Sequence, residues 1–184
     1  MCFDGKLRTD KEFLAQVDED FHVGSSILID ISNFGRVSNV PLDYMHVVCL
    51  GVVKKLLKIW IPLPHRSYKK SFSLSTAKVQ ELSMKSCNLQ NSHPCEFARK
   101  LRSLDEINNW KVTEFCNFLL YLGPALLFGI VSVTIYPNFL TFHVAILILA
   151  SEKLNEYAFY ADNLLKIFVS DFAVFRTTCI ICFI

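Results

Sequence analysis

Apolar residues recur at three- and four-residue spacing along most of this chain, and the pattern predicts a run of helices. From about Leu42 to Ile61, Met45, Val48, Cys49, Val52, Val53, Leu56, Leu57 and Trp60 fall on one side. Asp43 suits the start of that helix as N-cap or first-turn acid, where the helix dipole favours negative charge. Lys54, Lys55 and Lys58 suit its far end, and Pro62 and Pro64 stop it. Upstream, Lys6 to Asp20 puts Phe13, Leu14 and Val17 on one face, with Thr9 or Asp10 as N-cap. Ile27 to Ile31 is short, apolar and β-branched, which predicts a strand. Ser75 to Ser86 predicts an amphipathic helix through Val79, Leu82 and Met84. Ser103-Leu104-Asp105-Glu106 has the form of a capping box. The helix it opens is expected to run through Trp110, Glu114, Phe115 and Phe118 and to end at Gly123-Pro124. Three more helices are expected, at about 125–133, 139–151 and 152–172. The fold class is therefore mainly α, with one or two short strands.

Composition supports a packed core: 52% of residues are hydrophobic, and 16 are phenylalanine. The net charge of +2 sets up no global basic field, so a nucleic-acid contact has to rest on local patches. The seven cysteines are odd in number and scattered, which fits reduced intracellular thiols better than a disulfide framework. Cys179-Ile-Ile-Cys182 has the spacing of a metal knuckle but an apolar interior and no second pair. Met1 to Gly5 lacks the apolar segment of a signal peptide. No Asp, Glu, Lys or Arg occurs between Glu114 and Glu152. Gly123-Pro124 and Tyr136-Pro137-Asn138 cut that region into pieces shorter than the roughly 20 residues of a span. Two buried core helices and a membrane segment over 115–150 are the competing readings. Residues 1–174 read as one partial domain, and 175–184 as an atypical tail.

Asp43 and His46 lie three apart and can share a face of the first helical turn. Asp is a hard oxygen ligand suited to Mg2+ or Mn2+, and His46 could orient it or touch a phosphate. The competing reading is a capping Asp beside a surface His. Glu114 lies four residues from both Trp110 and Phe118, so it is either at a helix edge or buried for a reason. It could bring a second carboxylate to a metal site with Asp43. Arg99, Lys100 and Arg102 form a basic strip that could contact a nucleic-acid backbone or could be a solvated surface. His22, His65, His93 and His143 read as surface or core residues. No phosphate-binding Gly loop or zinc-protease motif occurs, and no small-molecule substrate is indicated.

Asp43-Tyr44-Met45-His46 followed by Leu50-Gly51-Val52-Val53-Lys54 resembles the D-x-M-H … L-G-V-x-K segment of transposase-derived proteins related to the CACTA/EnSpm type. Glu96 to Leu104, then Trp110-Lys111, Glu114-Phe115 and Phe118 to Pro124, is similar to the downstream block of those proteins. His143 to Ile146, Tyr157-Ala158 and Leu164 to Phe172 continue the likeness, which covers about Arg8 to Asp171. The resemblance implies a fragment of a ribonuclease H-like α/β domain with a helical insertion. It implies DNA cutting and joining through three acids and Mg2+ or Mn2+, in the nucleus. Carried over, Asp43 is the second acid and Glu114 the third, with Glu96 competing. The first acid is expected on an upstream strand, and Asp30 is a poor substitute for it. The expectation is thus a truncated transposase relative, inactive alone. A non-catalytic helical module binding protein or DNA, and a small membrane protein, are the alternatives.

Overall fold

The computed structural model describes residues 8–17, 24–41, 43–62, 73–92, 95–97 and 99–175. His22, the basic loop His65 to Lys70, His93 and the Cys179/Cys182 tail lie outside the described residues. The chain divides into two compact units, Met1–Asp43 and Tyr44–Ile184.

The N-terminal unit is built on polar contacts. Helix α1 (Asp10–Leu14) starts at Thr9, whose hydroxyl accepts from the Glu12 N–H at 3.3 Å, while the Glu12 carboxylate accepts from the Thr9 N–H at 3.1 Å. This reciprocal pairing settles Thr9, not Asp10, as the cap. Asp10 is left to reach across the loop. It accepts from the backbone of Val37 at 2.6 Å and from the hydroxyl of Ser38 at 2.7 Å.

The strand expected at Ile27–Ile31 is a 3-10 turn, Ile27–Asp30. The β-branched side chains favour a strand, but two polar contacts override them. Ser26 caps the Leu28 N–H at 3.3 Å, and the Arg36 guanidinium gathers the carbonyls of Leu28, Ile29 and Ile31. Those carbonyls are therefore not offered to a sheet. Among the described residues there is no strand and no sheet. A ribonuclease H-like α/β domain requires a sheet, so that expected fold is overturned; the mainly helical part of the expectation stands.

The C-terminal unit is a set of helices around an aromatic core. Helix α2 is π-helical over Met45–Val53 and α-helical over Lys54–Trp60, ending at Ile61, just before Pro62. Helix α3 (Thr76–Asn88) is capped by Ser75. The expected helix from Ser103 is instead two elements. A 3-10 turn, Leu104–Asn109, is capped by Ser103; the chain is then extended at Trp110 and Lys111 before the next helix starts. Trp110 is buried there, with its indole N–H donating to the Ser103 carbonyl at 3.1 Å. Helix α4 (Val112–Leu127) runs through Gly123-Pro124 rather than ending there. It is π-helical over Phe118–Leu122, and the Gly123 N–H reaches the Phe118 carbonyl five residues back. That wide turn carries the helix past a proline that cannot donate a bond. Gly123 is needed because a Cβ would lie 2.6 Å from the Phe118 carbonyl oxygen and 2.7 Å from the Phe139 ring.

Helix α5 (Ile135–Leu149) and helix α6 (Ala158–Phe175) form a hairpin through a 3-10 turn, Glu152–Tyr157. Asn138 on α5 donates to the Phe168 carbonyl on α6 at 3.0 Å. Phe142 stacks on Phe168 with ring centroids 4.6 Å apart. Trp60, Trp110, Phe115, Phe118 and Phe139 join α2, α4 and α5 through edge and tilted ring contacts of 5.3–6.2 Å. Among the described residues, no single helix is long and apolar enough to cross a membrane.

Candidate functional site

Glu114 is the one fully buried carboxylate among the described residues, and its surroundings define its chemistry. It sits in the first turn of α4. One oxygen, Oε2, accepts from the Lys111 backbone N–H at 2.8 Å and from Arg102 Nη2 at 2.8 Å. The other, Oε1, accepts from Arg102 Nε at 2.9 Å. The guanidinium thus meets the carboxylate along two parallel bonds, the strong bidentate form. Arg102 also donates to the Asn109 carbonyl and lies 3.5 Å from Glu106 Oε2. The clamp joins three stretches: the segment before the 3-10 turn, the end of that turn, and the start of α4.

Burial by itself pushes the Glu114 carboxyl up, but the Arg102 fork and the Lys111 N–H outweigh it and hold the group below its ordinary value. Arg102 is driven the other way, chiefly by its bond to Glu114, so its charge is fixed. The expected back-bond from Glu106 to the Ser103 N–H is replaced: Glu106 faces Arg102, and Glu114 makes the return bond to Lys111.

The remaining expected site residues are exposed. Asp43 is exposed and belongs to the N-terminal unit; His46 is exposed at the start of α2 in the C-terminal unit, which also holds Glu114. Tyr44 precedes α2 and makes no side-chain cap. Arg99, Lys100 and Glu96 are exposed, as is Asp30. Of the basic strip, then, only Arg102 is drawn into an ion pair with an expected site acid.

No protein-family model, curated protein or solved structure matches the chain.

A divalent cation does not fit the Glu114 environment. Both carboxylate oxygens already accept from N–H donors, and an ion would have to displace a guanidinium of its own sign of charge. Among the described residues, no group of three or more His, Cys, Asp or Glu side chains is placed to share a metal ion.

Residue spacing alone did not reveal two features. Arg102 and Glu114 are twelve apart, across a 3-10 turn, so no helical periodicity links them. The only local signal is an acid at the third position of α4. The second feature is a cluster of Tyr44, Cys49 and Cys116. The Tyr44 hydroxyl lies 3.5 Å from Cys116 Sγ, and Cys49 is fully buried on the π-helical part of α2, which packs against α4. Cys49 pulls the Cys116 thiol down to about 6 against the opposing effect of burial, with Tyr44 adding to it. Burial and the two thiols push the Tyr44 hydroxyl up, so it stays protonated. Nothing in the spacing of residues 44, 49 and 116 announces this meeting of α2 with α4.

Proposed function

We propose that this chain is a non-catalytic helical interaction module that associates with another polypeptide through the outer face of the α5–α6 hairpin. One observation carries this reading: α5 has no charged residue anywhere along Ile135–Leu149, yet one side of it faces outward. Val144 and Leu147, three apart on that side, are each more than a third exposed. On α6, Phe159 is 78% exposed and Tyr160 55%, with Ile167 exposed on the Tyr160 side of the helix. A helix apolar all round belongs in an interior, and exposed apolar side chains in such numbers mark contact surfaces.

The placement of Glu114 supports the non-catalytic half of the reading. Its oxygens are committed to Arg102 and Lys111, which gives it a joint to hold rather than a reaction to run. The ordered likeness to CACTA/EnSpm-type transposase-derived proteins supports descent of the module from such a protein.

A polypeptide partner is favoured over a lipid surface by the charges of α6. Asp162 and Lys166 form an exposed pair at 2.7 Å in the middle of the helix, and Asp171 follows. Hydrocarbon would strip those groups of water, whereas a protein rim accommodates them. Sedimentation velocity of the full chain over a range of micromolar concentrations tests the reading, with a second copy as the partner. The expected result is a sedimentation coefficient that rises with concentration and no flotation with neutral phosphatidylcholine vesicles. A monomer at every concentration that floats with the vesicles overturns it.

A further inference from the structure

We infer that His143 fixes the rotation of α5 on α4, and with it the face of α5 that points outward, by donating to a carbonyl that Pro124 leaves without a partner. The consequence for association rests on the reading of that face as a contact surface. The carbonyl is that of Leu119. Gly123 sends its N–H to Phe118, and Pro124 has no N–H, so neither residue serves Leu119 from within α4. Leu119 is completely buried, so water cannot stand in. A buried carbonyl with no donor is costly, and here the donor comes from the neighbouring helix. His143 Nδ1 lies 2.7 Å from the Leu119 oxygen. A carbonyl only accepts, so Nδ1 carries the hydrogen.

Two further contacts make this bond a register mark. Tyr136, also on α5, donates from its hydroxyl to the Pro124 carbonyl at 3.1 Å. Tyr136 and His143 lie two helical turns apart, so both bonds leave one stripe of α5. Anchored at Pro124 and at Leu119, α5 is held against both rolling and sliding along α4. The His143 ring also stacks on Phe139, one turn earlier, with centroids 6.4 Å and planes 24° apart. Phe139 is the ring that closes against Gly123. Val144 directly follows His143, and Leu147 lies one turn beyond it, so where His143 is held decides what these two exposed side chains face. His143 is therefore a positioning residue that acts through Val144 and Leu147.

The test uses the full chain. Ring 15N spectra at about pH 8, where an ordinary imidazole is neutral, are expected to place the His143 hydrogen on Nδ1; a bare Nδ1 overturns the inference. His143→Phe keeps a ring on Phe139 and removes the donor. It is expected to weaken self-association about tenfold in sedimentation velocity, the effect of one lost buried hydrogen bond, and to speed amide exchange across α5. Pro124→Ala returns an N–H to α4. That group reaches Leu119 if the turn stays wide, and frees the Gly123 N–H to do so if the turn tightens. Adding His143→Phe to Pro124→Ala is therefore expected to change neither measurement. Equal harm in both backgrounds overturns the inference, as does faster exchange with association untouched. Wild type that stays monomeric while Pro124→Ala rescues the exchange ends the contact-surface reading and leaves the His143 anchor standing. If His143→Phe does not fold alone, the double variant decides: a folded double variant shows that the missing donor was the cause, and an unfolded one overturns the inference.

Discussion

The two units use the same device in opposite settings. In the N-terminal unit the Asp10 carboxylate gathers the Val37 and Ser38 N–H groups and the Ser38 hydroxyl, and no described residue of that unit is buried. In the C-terminal unit the Glu114 carboxylate gathers the Lys111 N–H and the Arg102 fork at the edge of an aromatic core. Asp10 is only partly covered, so water competes with its partners, and those bonds shape a loop but hold little free energy. Glu114 is out of reach of water, so its partners cannot be removed without leaving a buried charge unpaired. An acid with several donors around it is thus not a functional site by that fact; its burial decides what it contributes.

The comparison breaks most sharply at the core. Phe139 is almost fully buried and touches Trp60, Phe118 and His143. Phe139→Ala is expected to cost about 3–5 kcal/mol, read as a lower midpoint of urea unfolding for the C-terminal unit. Next is the clamp itself. Arg102→Ala leaves the buried Glu114 carboxylate without its main partner and is expected to cost about 3 kcal/mol, in the same measurement. The pH dependence carries a definite sign. The folded carboxyl lies below its ordinary value of 4.5, so its contribution is complete above that value and is lost as pH falls through the lower folded one. Wild type should therefore lose stability below pH 4.5 more steeply than Glu114→Gln does, as thermal melts at stepped pH will show.

A smaller effect is expected at Gly123, where an added methyl meets the Phe118 carbonyl and the Phe139 ring. Gly123→Ala should cost about 1–3 kcal/mol through overpacking, again visible in the unfolding midpoint. The smallest global effect belongs to Asp10. Asp10→Asn should raise amide exchange at Val37 and Ser38 while leaving the melting of the C-terminal unit unchanged. A fall in that melting temperature would erase the contrast between the units.

The helices were legible because their apolar positions repeat at helical spacing, as Val79 and Leu82 of α3 or Leu56, Leu57 and Trp60 of α2 show. Their breaks were less legible. Gly123-Pro124 has the composition of a helix end, but a π-helical turn just before it lets α4 continue. Trp110 fits a helical face by spacing, yet it sits in the extended link between two elements, placed there by its bond to Ser103. Ile27–Ile31 has strand composition, and a guanidinium from Arg36, distant by several residues, takes its carbonyls instead. At the candidate site, the burial of Glu114 was one of the two alternatives its aromatic neighbours left open. Its partner was not readable, because an ion pair across a 3-10 turn has no period.

The outer face of α5 is the feature on which the functional account rests, and one paired measurement tests it most directly. The double variant Val144→Glu/Leu147→Glu is compared with wild type for both sedimentation coefficient and melting temperature. An interaction surface predicts that the concentration-dependent rise is lost while the melting temperature stays within about 2 °C, since substitutions at exposed positions seldom change stability much. Association that persists in the folded variant, or a melting temperature that collapses because the face is part of the core, would contradict the account.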